Sequence, residues 1–332
     1  MGLRWKSLRE KEKTFSKVET KQQKELKELR RKNTELSIKN NYLSKRSFEL
    51  GKIKLKEHLS QRTIRLCDSA LFSDYIGYID EAVLEADIEF VDISDAVDFT
   101  LLRSDCGYKY FRLLLENGEL AIFKALKNSS DQFHDKSIIL LSHELKILNL
   151  VGSHQNITQP IGLSCPGNQI FGSLFRYHSA IPLNCYLREV RTLHSSFVKN
   201  FINGFCEGLC HLHSKDILHN LLTGETLFVD GNDSVIITNF SWACRVSSVT
   251  ELTEKQKKIF KNSSHLPPKV KNGDEPPSRA SDKFSFGFVL RILLPHLETK
   301  CSLNESICLI VNGCFRMEQY MNLWGIVNRY LH

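Results

Sequence analysis

The sequence has 332 residues, of which 42% are hydrophobic and 25% charged, the proportions of an ordinary globular protein. That length accommodates one enzyme-sized domain and an appendage. The net charge of +7 is unevenly distributed, because the first 60 residues hold 18 Lys/Arg against 8 Asp/Glu and leave −3 for the remainder.

No apolar run reaches the roughly 20 residues that cross a bilayer, and the N-terminus lacks the apolar stretch of a signal peptide. The ten cysteines form no CxxC pair or Cys/His cluster, so we expect no metal site and a cytoplasmic location, with the nucleus as the alternative.

A basic helical segment is predicted over residues 1–60, followed by a linker over 61–96. Leucine at every seventh position with Asn33 and Asn40 at the interleaved a positions is typical of a parallel two-stranded coiled coil, which predicts a homodimer. A solvated single helix or a disordered basic arm is the alternative. A basic-zipper nucleic-acid binder is a further alternative, but Glu alternates with Lys and Arg, and no Asn-plus-Arg cluster is present to contact base edges. The heptad leucines are Leu29, Leu36, Leu43 and Leu50.

Strands and helices are segregated along the rest of the chain. The stretches FTLLRS, KYFRLLLE and ELAIFKAL predict strands, and Asn117-Gly118 predicts the hairpin turn before the third. A helix is expected around Ser137–Leu150, then short strands to Phe175, then a helix over Leu193–His213 with further helices from Asp282 onward. A β-rich part followed by a helical part predicts an α+β protein with two lobes.

Five short motifs in this order resemble landmarks of the eukaryotic protein kinase domain. They are similar to the VAIK strand, the HPNI element after the first helix, the start of the catalytic loop, the DFG triplet and the entry to the central helix of the large lobe. The resemblance implies a two-lobe protein kinase-like fold over residues 97–332, with an N-lobe at about 97–176 and a C-lobe at about 177–332. The motifs are AIFK at Ala121–Lys124, HQNI at His154–Ile157, HLHSKDILHN at His211–Asn220, TNFS at Thr238–Ser241 and SDKFSFG at Ser281–Gly287.

The positions that carry chemistry in this family hold uncharged residues here. The resemblance places Leu221 at the position of the catalytic base, Thr223 at that of the loop lysine, and Thr226 and Asn239 at those of the two metal ligands. Leucine accepts no proton, and Mg²⁺ prefers carboxylate oxygen. The phosphate-binding loop has only Gly107, and its three glycine positions fall near Arg103, Asp105 and Tyr108. ATP is therefore expected to bind, if at all, without efficient use of Mg²⁺.

Other positions keep the residues that hold a kinase fold together. Lys124 and Glu144 are predicted to form an ion pair in the nucleotide pocket, with two solvated surface charges as the alternative. Leu148, His219 and Phe240 are predicted to join the two lobes by apolar packing. Asp282 is predicted to accept hydrogen bonds from the backbone of the His219 loop, with an ordinary helix cap as the alternative.

The sequence favours a regulatory pseudokinase or kinase-like scaffold that acts through protein contacts and coiled-coil dimerisation. On this interpretation the chain is not an enzyme and has no catalytic residues. The first alternative is a residual or atypical ATP-dependent protein kinase, in which Asp230 and Asp233 replace the missing metal ligands. Their DGND context is also strong turn chemistry, which argues against that role. Nucleic-acid binding through the basic segment is the second alternative.

Overall fold

The structure is a computed structural model that describes residues 28–32, 91, 93, 96, 98–104, 108–115, 117–126, 134–164, 172–249, 257, 260–297, 303–316 and 323–331. Residues 28–32 are helical, and the Leu29 side chain is 64% exposed. The other heptad leucines lie outside the described residues, so the coiled coil stays a prediction. Within the described ranges, every helix is too short or too polar to cross a membrane.

A five-stranded antiparallel sheet forms the small lobe, with the strand order β1-β2-β3-β5-β4. The three predicted strands and the hairpin turn are confirmed. Gly118 has a φ of 81°, a left-handed conformation that glycine adopts without steric cost. The Asn117 Oδ1 accepts a hydrogen bond of 3.0 Å from the Glu119 N–H and closes the turn. The strands are β1 Asp98–Ser104, β2 Tyr108–Leu114, β3 Leu120–Leu126, β4 Pro160–Ser164 and β5 Gly172–Arg176.

Side-chain alternation along β3 separates the two faces of this sheet. Ala121 and Phe123 are buried on one face in a small core that includes Ile93, a residue from the region assigned to the linker. Ile122 and Lys124 point to the opposite face, which packs against the helix α1, His134–Val151. The segment before β1 therefore contributes a core residue to the small lobe.

The large lobe is built from helices around α3. The predicted apolar face of α3 is buried, from Val198 to Leu212. The predicted start at Leu193 is wrong, because the Leu193 N–H donates to the His296 carbonyl at 2.7 Å and this residue is extended. Helix α7, Leu323–Leu331, packs against α3, Ser195–Ser214. Helix α6, Leu303–Phe315, packs between α7 and α5, Arg279–Leu293. The helices are α2 Leu183–Glu189, α3 Ser195–Ser214, α4 Pro268–Asn272, α5 Arg279–Leu293, α6 Leu303–Phe315 and α7 Leu323–Leu331.

Short strands line the junction between the lobes. One small sheet has the order β6-β8-β9, and a second pairs β7 with β10. Backbone hydrogen bonds from Thr158 to Ile237 and from Ile237 to Asn156 join β9 to the segment that follows α1. These two bonds fix β9 against the segment that follows α1. The strands are β6 Ile181–Pro182, β7 Ile217–Leu218, β8 Leu227–Val229, β9 Val235–Ile237 and β10 Cys244–Arg245.

Candidate active site

A cleft of about 470 Å³ lies between the two lobes. Lys124 and Glu144 line it from the small lobe, and Phe228 and Asn239 line it from the large lobe. The segment 177–180, which connects the lobes, forms part of its wall. This cleft is where the sequence motifs predicted a nucleotide pocket.

A buried ion pair lies at the inner end of this cleft. The Lys124 Nζ is 2.8 Å from the Glu144 Oε2, and the two residues are only 5% and 2% exposed. Burial by itself would lower the pKa of Lys124, but the Glu144 carboxylate outweighs it and raises the pKa above its ordinary value. Lys124 is therefore a fixed cation, and the alternative of two solvated surface charges does not describe these positions.

The same carboxylate joins α1 to the segment after β9. The Glu144 Oε1 accepts a hydrogen bond of 2.9 Å from the Phe240 N–H. One residue earlier on α1, the His143 Nε2 is 2.7 Å from the Ala243 carbonyl oxygen. Burial lowers the pKa of His143 to about 4, so the ring is neutral at pH 7 and donates its Nε2–H to that oxygen. No local motif points to His143, because its hydrogen-bond partner is 100 residues away in the sequence.

The TNFS turn has a backbone geometry that suits asparagine. Asn239 has φ 63° and ψ 71°, in the left-handed region that Asn tolerates better than most residues. Its Oδ1 accepts a hydrogen bond of 2.9 Å from the Ser241 hydroxyl. The Asn239 side chain lines the cleft with a neutral amide.

His219, Leu148 and Phe240 lie in the interior between the lobes. The rings of His219 and Phe240 are 4.8 Å apart at their centroids and nearly perpendicular. The His219 Nδ1 accepts from the Leu221 N–H at 3.2 Å, so its Nε2–H donates to the Thr238 carbonyl at 3.0 Å. Burial lowers the pKa of His219 to about 4 and keeps the ring neutral. Leu148 and Phe240 belong to the same buried core, which continues into α3 and α5.

Asp282 accepts hydrogen bonds from the loop that carries His219. Its Oδ2 accepts the His219 N–H and its Oδ1 accepts the Asn220 N–H, each at 2.9 Å. Its Oδ2 also lies 3.1 Å from the His213 Nε2. Burial would raise the pKa of Asp282, but these hydrogen bonds and the His213 and His219 rings hold it below its usual value. The cap of α5 is a different group, since Ser278 and Ser281 form the capping box.

Positions 221, 223 and 226 of the loop after His219 hold uncharged side chains. Leu221 is half-buried and brings no acid or base to the loop. The Thr226 hydroxyl donates to the Leu221 carbonyl at 2.7 Å and accepts from the Thr223 N–H at 3.0 Å. Thr226 therefore closes the loop from within and does not present its oxygen to the cleft as a free ligand.

Asp230 and Asp233, which could have replaced the missing ligands, form a turn. The Asp230 Oδ1 accepts from the N–H groups of Asn232 and Ser234 at 2.9 Å and 2.8 Å. Asp233 has a φ of 61°, as expected in a tight turn. Neither residue lines the cleft.

Most residues that line the cleft were not predicted as parts of the site. Arg103, Tyr110 and Phe228 are three of them, and Arg103 had been noted only as lying near one of the three glycine positions of the family. The pairing of β1 with β2 aligns Arg103 with Tyr110, which alternation within the predicted strands could have suggested.

The family profile described as "Protein tyrosine and serine/threonine kinase" matches residues 114–319, more than half of the chain. The chain belongs to this protein kinase family. Mitogen-activated protein kinase kinase kinase 5 of Arabidopsis thaliana is 29% identical to this kinase domain over 143 residues, which are 42% of this chain and 20% of that protein. Mitogen-activated protein kinase kinase kinase 3 of the same plant is 24% identical over 183 residues, 54% of this chain and 29% of that protein. Serine/threonine-protein kinase STE11 of Saccharomyces cerevisiae is 24% identical over 142 residues, which are 43% of this chain and 20% of that protein.

The kinase domain spans between a fifth and a third of the length of these three relatives. The predicted kinase-like superfamily and its two-lobe fold are confirmed. The prediction that the chain is not an enzyme is wrong, because the family and the named relatives are protein kinases. The prediction gave too much weight to single side chains, whereas phosphoryl transfer depends mainly on positioning and electrostatics. The comparisons support the atypical ATP-dependent kinase better than the scaffold.

Magnesium is implied by this family, and the residues present do not fit it. Asn239 offers a neutral amide, and the Thr226 hydroxyl is occupied within its own loop. The Glu144 carboxylate binds Lys124 with one oxygen and the Phe240 N–H with the other. Among the residues that the structure describes, no three His, Cys, Asp or Glu side chains cluster as a metal site. A hard cation needs several oxygen ligands, preferably charged ones.

Proposed function

We propose that this kinase domain is an atypical ATP-dependent protein kinase that transfers phosphate slowly to a protein hydroxyl group. The observation that carries the proposal is the buried Lys124–Glu144 pair, whose carboxylate also accepts the Phe240 N–H. These contacts hold the sheet, α1 and the turn after β9 in one arrangement around the cleft. Pre-organised groups of this kind supply most of the protein's contribution to phosphoryl transfer.

The residues of the cleft would bind the nucleotide and align its γ-phosphate with the acceptor hydroxyl. Lys124 would donate hydrogen bonds to phosphate oxygens, and Phe228 would pack against the adenine ring from the large lobe. The acceptor hydroxyl oxygen bonds to the γ-phosphorus while the bond between that phosphorus and the oxygen of the departing ADP breaks. The hydroxyl proton passes to water, because Leu221 has no lone pair to accept it.

A slow rate follows from the residue at position 221. A positioned general base typically contributes about 10²- to 10⁴-fold to a reaction. We therefore expect turnover to be lower by about that factor than in a kinase domain with a carboxylate at this position. Binding and alignment continue to accelerate the reaction without the base.

Transfer of labelled γ-phosphate to a mixed Ser/Thr/Tyr peptide library tests the proposal. We expect slow incorporation by the full chain that Lys124→Met reduces at least tenfold. Lys109→Met is the matched control, because Lys109 is exposed on β2 and does not line the cleft, and it should retain the rate. Circular dichroism of each variant checks that it is folded. No incorporation by the wild-type chain, or equal incorporation by a folded Lys124→Met variant, would contradict the proposal.

A further inference from the structure

A second cation besides Lys124 points into the cleft from the small sheet. The Arg103 Cζ lies 4.1 Å from the centroid of the Tyr110 ring and 5.9 Å from that of Phe228. Tyr110 belongs to the small lobe and Phe228 to β8 of the large lobe. The Arg103 side chain therefore reaches across the cleft from one lobe toward the other.

Strand pairing places this arginine and Lys124 in one row. Arg103 is the partner of Tyr110 across β1 and β2, and Tyr110 is the partner of Lys124 across β2 and β3. Directly paired residues point to the same face of a sheet, and adjacent strands are about 4.8 Å apart. The two cations thus rise from the same face with their backbones about 10 Å apart, and both side chains are long enough to converge on one polyphosphate chain.

The hydrogen-bond donors of Arg103 remain available in this position. Its Cζ lies over the Tyr110 ring, and the five N–H donors of a guanidinium lie in the plane of that group. No described carboxylate forms an ion pair with Arg103, whereas Lys124 is paired with Glu144. A planar guanidinium binds phosphate oxygens with two parallel hydrogen bonds.

Arg103 differs from the other cations that line the cleft. Lys124 and Glu144 cancel as a buried pair, and the Arg176 guanidinium lies 3.7 Å from the Glu119 carboxylate. Arg103 is therefore the lining cation that no described carboxylate pairs with, and the remaining carboxylate of the lining is Glu189.

We propose that Arg103 and Lys124 together bind the polyphosphate of a nucleoside triphosphate, so that ATP binds this chain without a divalent cation. The inference rests on the proposed function and specifies how the same site neutralises its substrate. It also accounts for neutral side chains at 226 and 239, since a phosphate chain held by two cations needs less charge from a metal.

Isothermal titration of the full chain with ATP and with adenosine, in EDTA and in Mg²⁺, tests this proposal. We expect ATP to bind in EDTA with a Kd that Mg²⁺ changes less than twofold. Arg103→Gln should weaken ATP binding at least tenfold and leave adenosine binding unchanged, and Arg103→Lys should weaken ATP binding to a smaller extent. Lys109→Gln removes an equal charge from the outside of the same sheet and should bind ATP as the wild type does.

Three other outcomes would overturn the two-cation site, and one of them would also overturn the proposed function. Binding that requires Mg²⁺ and is indifferent to Arg103→Gln would overturn the two-cation site and leave the proposed kinase function standing. Tighter ATP binding by Arg103→Gln would also overturn it, because the guanidinium would then compete with the nucleotide for the space beside Tyr110. Absence of ATP binding by the wild-type chain in both buffers would overturn this inference and the proposed function together.

Discussion

At the scale of single residues, the loop around His219 is fixed by one carboxylate. Asp282 is fully buried and accepts two backbone N–H groups that have no other partner among the described residues, those of His219 and Asn220. Asn220 also has a φ of 62°, a conformation that costs free energy for a non-glycine residue. The contacts of Asp282 offset that cost and hold the loop beneath the cleft.

Replacement of Asp282 by alanine should lower the free energy of unfolding by about 3–5 kcal/mol, because it leaves two buried donors and the His213 ring unpaired. Urea unfolding followed by tryptophan fluorescence measures the change. Asp216→Asn is the control, since it removes the exposed ion pair with Arg279, which contributes about 0–1 kcal/mol, and keeps a residue that tolerates the φ of 61° at this position. Equal losses in the two variants would show that Asp282 does not anchor the loop.

At the scale of elements, α1 is positioned from two directions. Glu144 binds Lys124 of β3 and the Phe240 N–H, and His143 binds the Ala243 carbonyl. The sheet that carries Lys124 must therefore be closely paired, because any separation of β3 from β5 would move the lysine. Gly172 on β5 permits that pairing: a Cβ at this position would lie 2.5 Å from the Lys124 carbonyl oxygen.

Gly172→Ala should destabilise the small lobe by about 1–3 kcal/mol, the usual cost of overpacking, because a backbone oxygen cannot move aside as a side chain can. The midpoint of thermal unfolding should fall accordingly, and Lys124-dependent phosphotransfer should fall with it. Gly231→Ala is the matched control, since a Cβ there meets nothing within 4 Å. A Gly172→Ala protein as stable as the Gly231→Ala protein would refute the close approach of β3 and β5.

The sequence predicted those parts of the site that depend on local patterns. Lys124 and Asp282 lie in two of the five motifs, and Glu144 lies in the helix predicted around Ser137–Leu150, so their positions followed from local patterns. The contact of His143 with Ala243 joins residues 100 positions apart, and no local pattern reports it. Arg103 was noted only as lying near a glycine position of the family, because its place in the cleft depends on which strand lies beside β1 and which ring lies across the cleft. The activity was predicted wrongly because single positions were weighed more heavily than the scaffold around them.

At the scale of the whole molecule, the two lobes enclose a cleft that has the anchors of a kinase and uncharged side chains at positions 221, 223, 226 and 239. The Lys124–Glu144 pair and the Phe240 contact join the sheet, α1 and the turn after β9 around this cleft. We therefore predict that the missing base, and not the shape of the cleft, limits the rate. Leu221 is half-buried at the loop, so a carboxylate at this position would be partly in contact with solvent.

The most direct test of this claim is the initial rate of γ-phosphate transfer by Leu221→Asp compared with Leu221→Asn. The aspartate can accept the hydroxyl proton and should raise the rate by about 10²- to 10⁴-fold. The asparagine has similar size but no basic oxygen, so it should match the wild type. Titration with ATP should give both variants the same Kd. A Leu221→Asp rate equal to that of Leu221→Asn, at equal ATP affinity, would contradict the claim that the missing base limits the rate.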